Sequence, residues 1–146
     1  LIVGDGPERS LLEKLAELEY PLTQFFGARH GDELNPLFER ADLFVLPGTG
    51  GLAVQQAMSF GLPVIVAEAD GTQQDLVRAD NGWVVPPGDL NALLARLNEA
   101  LSDLTRLRRM GTASYRVVAE EINIEKMVAV FSNAVASVLS LYSQPQ

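Results

Sequence analysis

The sequence has no cysteine, a single histidine and a single tryptophan, and it is short of cations, with 11 Lys and Arg against 19 Asp and Glu. The lack of cysteine excludes a disulfide framework and cysteine chemistry, and it is compatible with a reducing compartment. The net charge of −8 argues against a broad nucleic-acid surface or an anionic-membrane surface, since both need clustered Lys and Arg. It leaves open a local anion site made from backbone N–H groups, which need no basic side chain. No apolar run is expected to reach the roughly 18 residues of a membrane span, and no signal peptide is expected before the first strand pattern. No His, Asp or Glu cluster has metal-ligand spacing, and no nucleophile–base arrangement is visible. What remains is a chain of 146 residues, 47% apolar and 21% charged, within the range of one ordinary globular domain. Such a domain buries roughly 70% of its unfolded surface and needs no covalent or metal staple. It opens on Leu1-Ile2-Val3, already in a strand pattern and without a starting methionine, so the expectation is a single domain, 1–146, cut from a longer polypeptide.

Short apolar runs alternate with longer helical patterns, which predicts an α/β fold with an open parallel sheet and crossover helices on both faces. Leu1–Val3 reads as a buried strand ending at Gly4-Asp5-Gly6. Pro7 suits a first helical position, with Leu11, Leu12, Leu15 and Leu18 following at helical spacing. Thr23–Phe26 is a second strand. Asp32 is placed to cap a helix with Leu34, Leu37, Phe38 and Ala41 on its apolar face. Asp42–Leu46, Pro63–Ala67 and Gly82–Val85 are three further strands. Between the first two of these lies a helix from about Leu52 to Ser59, stopped by Gly61 in a left-handed C-cap. A short helix through Asp75, Leu76 and Val77 precedes the last. Extra helices close the chain. Asp89 caps one with Leu90, Leu93, Leu94, Leu97 and Leu101 on one face, and Leu104, Leu107, Met110 and Val117 form the buried side of the next. The last carries a stripe of Ile124, Met127, Val128, Phe131, Val135, Val138, Leu139 and Tyr142, long enough for its far end to cover a surface outside these residues.

The chemistry concentrates in Pro47-Gly48-Thr49-Gly50-Gly51, between a strand and a helix. Glycines there let the backbone approach a ligand closely, and the helix N-terminus adds unpaired N–H groups and about half a positive charge. In an open parallel sheet, ligands bind beyond the C-terminal ends of the strands, where this loop falls. A phosphate cradle and a tight connection are both open readings of the loop taken alone. It is not a Walker motif, because no Gly-Lys-Ser/Thr follows, nor a G-x-G-x-x-G dinucleotide fingerprint.

The whole run Leu46-Pro-Gly-Thr-Gly-Gly-Leu-Ala-Val-Gln-Gln-Ala-Met-Ser-Phe-Gly-Leu-Pro-Val64 resembles the signature of the family-4 (group 1) glycosyltransferases, roughly V-L-P-S-x-x-E-G-F-G-L-x-x-x-E-A-M-A-x-G-x-P-V-V. Further matches follow in order: Leu1-Ile-Val-Gly-Asp-Gly-Pro7, Phe26-Gly27, Ala41-Asp42, Asp70-Gly71-Thr72 and Asn81-Gly82-x-Val84-Val85-Pro86-Pro87-Gly88-Asp89. Together they extend from Leu1 to about Asn123.

The resemblance implies the C-terminal, Rossmann-like lobe of a two-lobed GT-B enzyme, holding a nucleoside-diphosphate sugar as donor. The N–H groups of Gly50, Gly51, Leu52 and Ala53 would receive the diphosphate. Gly48 and Thr49 would lie in the donor-sugar loop, Gln56 would face the ribose hydroxyls, and Ala28, Arg29 and His30 would form the base-binding loop. The family pattern has glutamates where Gly48 and Gln56 stand. As a neutral amide, Gln56 accepts a ribose hydrogen bond more weakly than a carboxylate, and Gly48 offers only backbone. Either this is a glycine-rich variant of the family or its donor chemistry is weakened. Glu68 and Asp70, just past a strand end, are further candidates. The family's first strand, its phosphate loop and the whole N-terminal lobe would precede Leu1.

The implied function is the donor-binding half of a retaining, hexosyltransferase-type enzyme, with no cofactor or metal on this lobe and no confident catalytic residue in the fragment, which alone would be inactive. Its partners would be the donor, the missing lobe of the same chain and a sugar, lipid-linked or other acceptor on that lobe, with no nucleic acid. The expected location is the cytoplasm, with attachment at the inner face of a membrane through the missing lobe as an option. Two other readings stay open: a nucleotide-sugar 2-epimerase of the same architecture, and a non-catalytic structural or interaction lobe.

Overall fold

Val64, Ile65, Val66 and Ala67 form an unbroken apolar run, which suits a strand covered on both faces in the middle of a parallel sheet. In the computed structural model, which describes residues 1–48, 50–69 and 71–142, this run is β2 (Val64–Ala67), and all four residues are buried. It lies between β1 (Phe44–Leu46) and β3 (Gly82–Val85), both parallel to it. The register aligns Phe44 with Val64 and Leu46 with Val66 on one side, and Val64 with Gly82 and Ala67 with Val85 on the other.

The two-residue period of the strand divides the core. Val64 and Val66 point into a cluster with Val54, Met58, Leu76, Val77 and Val117. Ile65 and Ala67 point the other way, toward Trp83, Val85, Ala100, Leu107 and Met110. The first layer is supplied by α3 (Leu52–Ser59), α4 (Thr72–Leu76) and the single π-type turn Val117–Glu121. The second comes from α5 (Leu90–Ser102) and α6 (Leu104–Arg116). The expected parallel α/β sheet with helices on both faces is therefore present.

Local chemistry sets the helix ends. At the end of α3, Gly61 takes a left-handed φ of 71°. There the Gly61 N–H donates to Met58 O at 2.9 Å and the Leu62 N–H to Ala57 O at 3.2 Å. This pairing satisfies the last carbonyls and stops the helix. Asp89 Oδ1 accepts from the Ala92 N–H, and Asp103 Oδ1 from the Arg106 N–H, both at 2.9 Å. Asp103→Ala is expected to cost about 1 kcal/mol, the usual value of such a cap. Urea unfolding would measure it, and a change indistinguishable from zero would remove Asp103 from the stability of α6. Arg78, in the turn before β3, grips Glu121 with two hydrogen bonds of 2.6 and 2.9 Å. These bonds hold the Glu121 carboxyl below its ordinary range and tie the π turn to the sheet.

The chain divides into two compact units, Leu1–Ala41 and Asp42–Gln146; the sheet belongs to the second. In the first, α1 (Arg9–Glu19) carries Leu11, Leu12, Leu15 and Leu18 as expected, but all four are exposed. The two expected strands of this unit reduce to one parallel bridge, Ile2 to Phe25. It is flanked by the bonds Ile2 N–H to Gln24 O and Gly4 N–H to Gly27 O, both 2.8 Å. Leu1, Ile2 and Val3 are exposed, so the expectation of a buried strand is not met within this unit. The helix expected from Asp32 is also corrected. A 3₁₀ turn, Gly31–Leu34, comes first, with His30 rather than Asp32 at its N-cap, and α2 (Asn35–Phe38) begins only beside Pro36. Proline has no N–H to give and crowds the preceding turn, so it suits the start of a helix and not its interior.

Two further corrections concern the faces of α5 and α6. On α5 the residues that pack on the core are Leu93, Leu97 and Ala100, whereas Leu90, Leu94 and Leu101 are exposed; on α6 Leu107 and Met110 are buried, but Leu104, expected with them at the very start of the helix, is exposed. The last helix, α7 (Ile124–Tyr142), exposes Ile124, Met127, Val128, Phe131, Val135, Val138 and Leu139. An 18-residue window within Leu104–Leu139 reaches a mean hydropathy of 1.3, with none of it buried. By length and composition alone this stretch could cross a membrane. This corrects the expectation of no span-length run: small polar residues interrupt the stretch, but its average hydropathy is still that of a span.

Candidate functional site

β1 delivers the chain to the glycine loop at the C-terminal end of the sheet, and α3 carries it away. Gly50 has a φ of +154°, in the region L-residues rarely adopt, and a Cβ there would lie 3.1 Å from Leu46 Cδ2. Gly51 follows in an ordinary helical conformation as the N-cap residue of α3. A Cβ at Gly51 would lie 3.1 Å from Thr72 Cγ2, which places this end of the loop against the start of α4. The two glycines thus serve different ends, Gly50 the backbone turn and Gly51 the close approach of two loops.

The first helical hydrogen bond of α3 runs from the Gln55 N–H to Gly51 O at 3.0 Å. The N–H groups ahead of Gln55 precede the first i→i−4 bond and have no carbonyl of the helix to meet. Among the described residues no side chain caps this end, and no acidic residue lies in the first turn. Leu52 and Ala53 are exposed. The helix therefore presents uncapped N–H groups and the positive end of its dipole at the edge of the sheet, an arrangement suited to an anion.

Of the residues singled out from the sequence, Gly48, Gly50, Gly51, Leu52, Ala53 and Gln56 share this loop and helix. Gln56 is half-buried on the second turn of α3, on the same helix as the buried Val54, Ala57 and Met58. Thr49 and Asp70 lie outside the described residues. Glu68 is exposed, and its N–H donates to Val85 O at 2.9 Å. Ala28, Arg29 and His30 belong to the first unit and are exposed; the His30 N–H donates to Glu33 Oε2 at 3.3 Å. Among the described residues, no group of three or more His, Asp or Glu side chains is placed to hold a metal ion.

One residue beside the loop was missed. Gln73, in the first turn of α4, is 1% exposed. The signal was available, because Gln73 stands three and four residues before the apolar Leu76 and Val77 and so shares their face of the helix.

A parallel sheet, a glycine loop at the end of a strand and a helix behind it define a Rossmann-type α/β lobe. The chain belongs to the glycosyl transferases group 1 family, which it matches over residues 1–103. It is 37% identical over 119 residues to a sulfoquinovosyl transferase of Arabidopsis thaliana, a match covering 77% of this chain and 23% of that protein. Its fold is that of a GT-B glycosyltransferase lobe. A sucrose-phosphate synthase from Thermosynechococcus elongatus superposes with a TM-score of 0.76 at 27% identity, over 95% of this chain and 38% of that one. The Anabaena protein HepE, solved in complex with UDP, has a TM-score of 0.74 at 20% identity, over 92% of this chain and 40% of its own; that likeness speaks for the fold alone. The chain thus spans between about a quarter and two fifths of the length of these proteins.

Proposed function

We propose that this chain is the donor-binding half of a retaining glycosyltransferase, which moves a sugar from a nucleoside-diphosphate sugar to an acceptor held largely by residues outside the 146. The observation that carries the reading is the uncapped start of α3 behind Gly50 and Gly51, in a chain of the group 1 family. The N–H groups of Gly50, Gly51, Leu52 and Ala53 would receive the diphosphate. Gln56 would answer the ribose hydroxyls, Gly48 and Thr49 would face the sugar, and Ala28, Arg29 and His30 would take the base. UDP bound to HepE is in keeping with such a donor. Residues 1–146 alone should bind donor weakly and not transfer it.

One observation favours the second reading, a lobe kept for structure or partner binding. A Cβ at Gly48 would meet nothing within 4 Å, so packing does not force glycine there. The missing carboxylate is a property of the site and not of the fold. Calorimetric titration of the intact protein with UDP, GDP and ADP separates the two. Saturable binding of at least one is expected. No heat with any of the three, from folded protein, would leave the structural reading.

A further inference from the structure

Three polar side chains lie in the core of the sheet unit: Gln73 at 1% exposure, and Asn81 and Ser114 at 0%. Two of them are explained by their bonds. Asn81 Oδ1 accepts from the Arg78 N–H at 2.6 Å, and its Nδ2 donates to Leu76 O at 3.0 Å. Ser114 Oγ donates to Asn81 O at 3.4 Å. These two tie the turn before β3 to α6. Gln73 differs, because neither its Oε1 nor its Nε2 has a hydrogen-bond partner among the described residues. A buried carboxamide without partners forfeits its bonds to water and gains none in return, and an apolar side chain in the same space would be more stable. A group of this kind is where a partner can enter when a ligand is bound.

Its position says at which site. Gln73 follows Thr72, the residue packed against Gly51, and Gly71, whose φ of +95° turns the chain into α4. The carboxamide therefore belongs to the helical turn beside the glycine loop, at the same end of the sheet as the uncapped start of α3. We propose that Gln73 is a positioning residue for the glycine loop. Its carboxamide pairs with the backbone of Gly50 or Gly51 once a diphosphate is held at the N-terminus of α3. The unmet hydrogen bonds raise the free energy of the empty state and are satisfied in the occupied one, so the difference appears as donor affinity. Gln73 acts through the loop and does not itself touch the donor. The inference rests on the donor-binding reading above.

The test uses Gln73→Met and Gln73→Leu in the intact protein, with two measurements of opposite expected sign. Removing the unpartnered amide should raise the melting temperature of the ligand-free protein by a few degrees. The same change should weaken binding of whichever of UDP, GDP and ADP the wild type binds, by about tenfold. A higher melting temperature with affinity unchanged within twofold would overturn the proposal, leaving Gln73 a buried group without a role in the loop. A lower melting temperature would also overturn it, by showing that the amide is already satisfied in the empty protein. Wild-type protein that is folded yet binds none of the three nucleotides would fail the donor-binding reading itself, before any variant is compared.

Discussion

Gly111→Ala is expected to destabilise the protein by about 3 kcal/mol, the upper range for overpacking a close-packed contact. Gly111 is buried in α6, and a Cβ there would run into the carbonyl oxygen of Gly61 and approach Pro63 Cδ to 3.3 Å. The obstruction is backbone, not the movable end of a side chain. Gly61 is fixed in turn by the bonds that end α3 and by its left-handed φ. In an exposed helix, alanine in place of glycine would gain roughly 1 kcal/mol of helix propensity. Here the clash should outweigh that gain, because relief requires α6 to move off the turn between α3 and β2. Equilibrium unfolding in urea measures the loss. Thr112→Ala, exposed on the same helix, is the control and should change stability by less than about 0.5 kcal/mol. A loss below about 1 kcal/mol for Gly111→Ala would mean that the close approach of α6 to Gly61 is not part of the native packing.

Gly51→Val should leave the fold largely intact and lower donor turnover of the intact protein by about a hundredfold, equivalent to roughly 2.7 kcal/mol. Gly51 is already in a helical conformation, so its backbone tolerates a side chain. The space does not, since the first added carbon would lie 3.1 Å from Thr72 Cγ2 and two further methyl groups must follow. Relief means parting the loop from α4 or turning the isopropyl group toward the N–H groups of α3. Either change would spoil the proposed anion site, which depends on close backbone approach. Turnover equal to wild type would argue for the structural reading of this lobe. A large loss of global stability would instead class Gly51 with Gly111.

How far the sequence could be read depended on the range of the interactions involved. The run Val64–Ala67, the stop at Gly61 and the cap at Asp89 were all legible, because each is decided within one strand or one helical turn. Gly82–Val85 was legible for the same reason. The glycine loop was legible as a strand-to-helix turn, and only the flanking motifs led on to the family, since a lone glycine turn is equally a tight connection. The delayed start of α2 was also local, and the weight of Pro36 was underestimated. By contrast, Leu90, Leu94 and Leu101 looked like the face of α5 because leucine spacing cannot say which side of a helix meets the sheet. The burial of Gln73 was within reach of its spacing to Leu76 and Val77, but its lack of a partner depends on what packs around α4.

The sequence by itself determined the alternation of strands and helices, their caps and the family, because these follow from periodicity, turn chemistry and ordered motifs along the chain. Only the tertiary structure decided that position 111 must be glycine, that Gly51 meets Thr72, and that Gln73 is buried without a partner. Each of these is a contact between segments remote in sequence, made only when parallel strands and their crossover helices are brought together, and no local pattern encodes the space left between them.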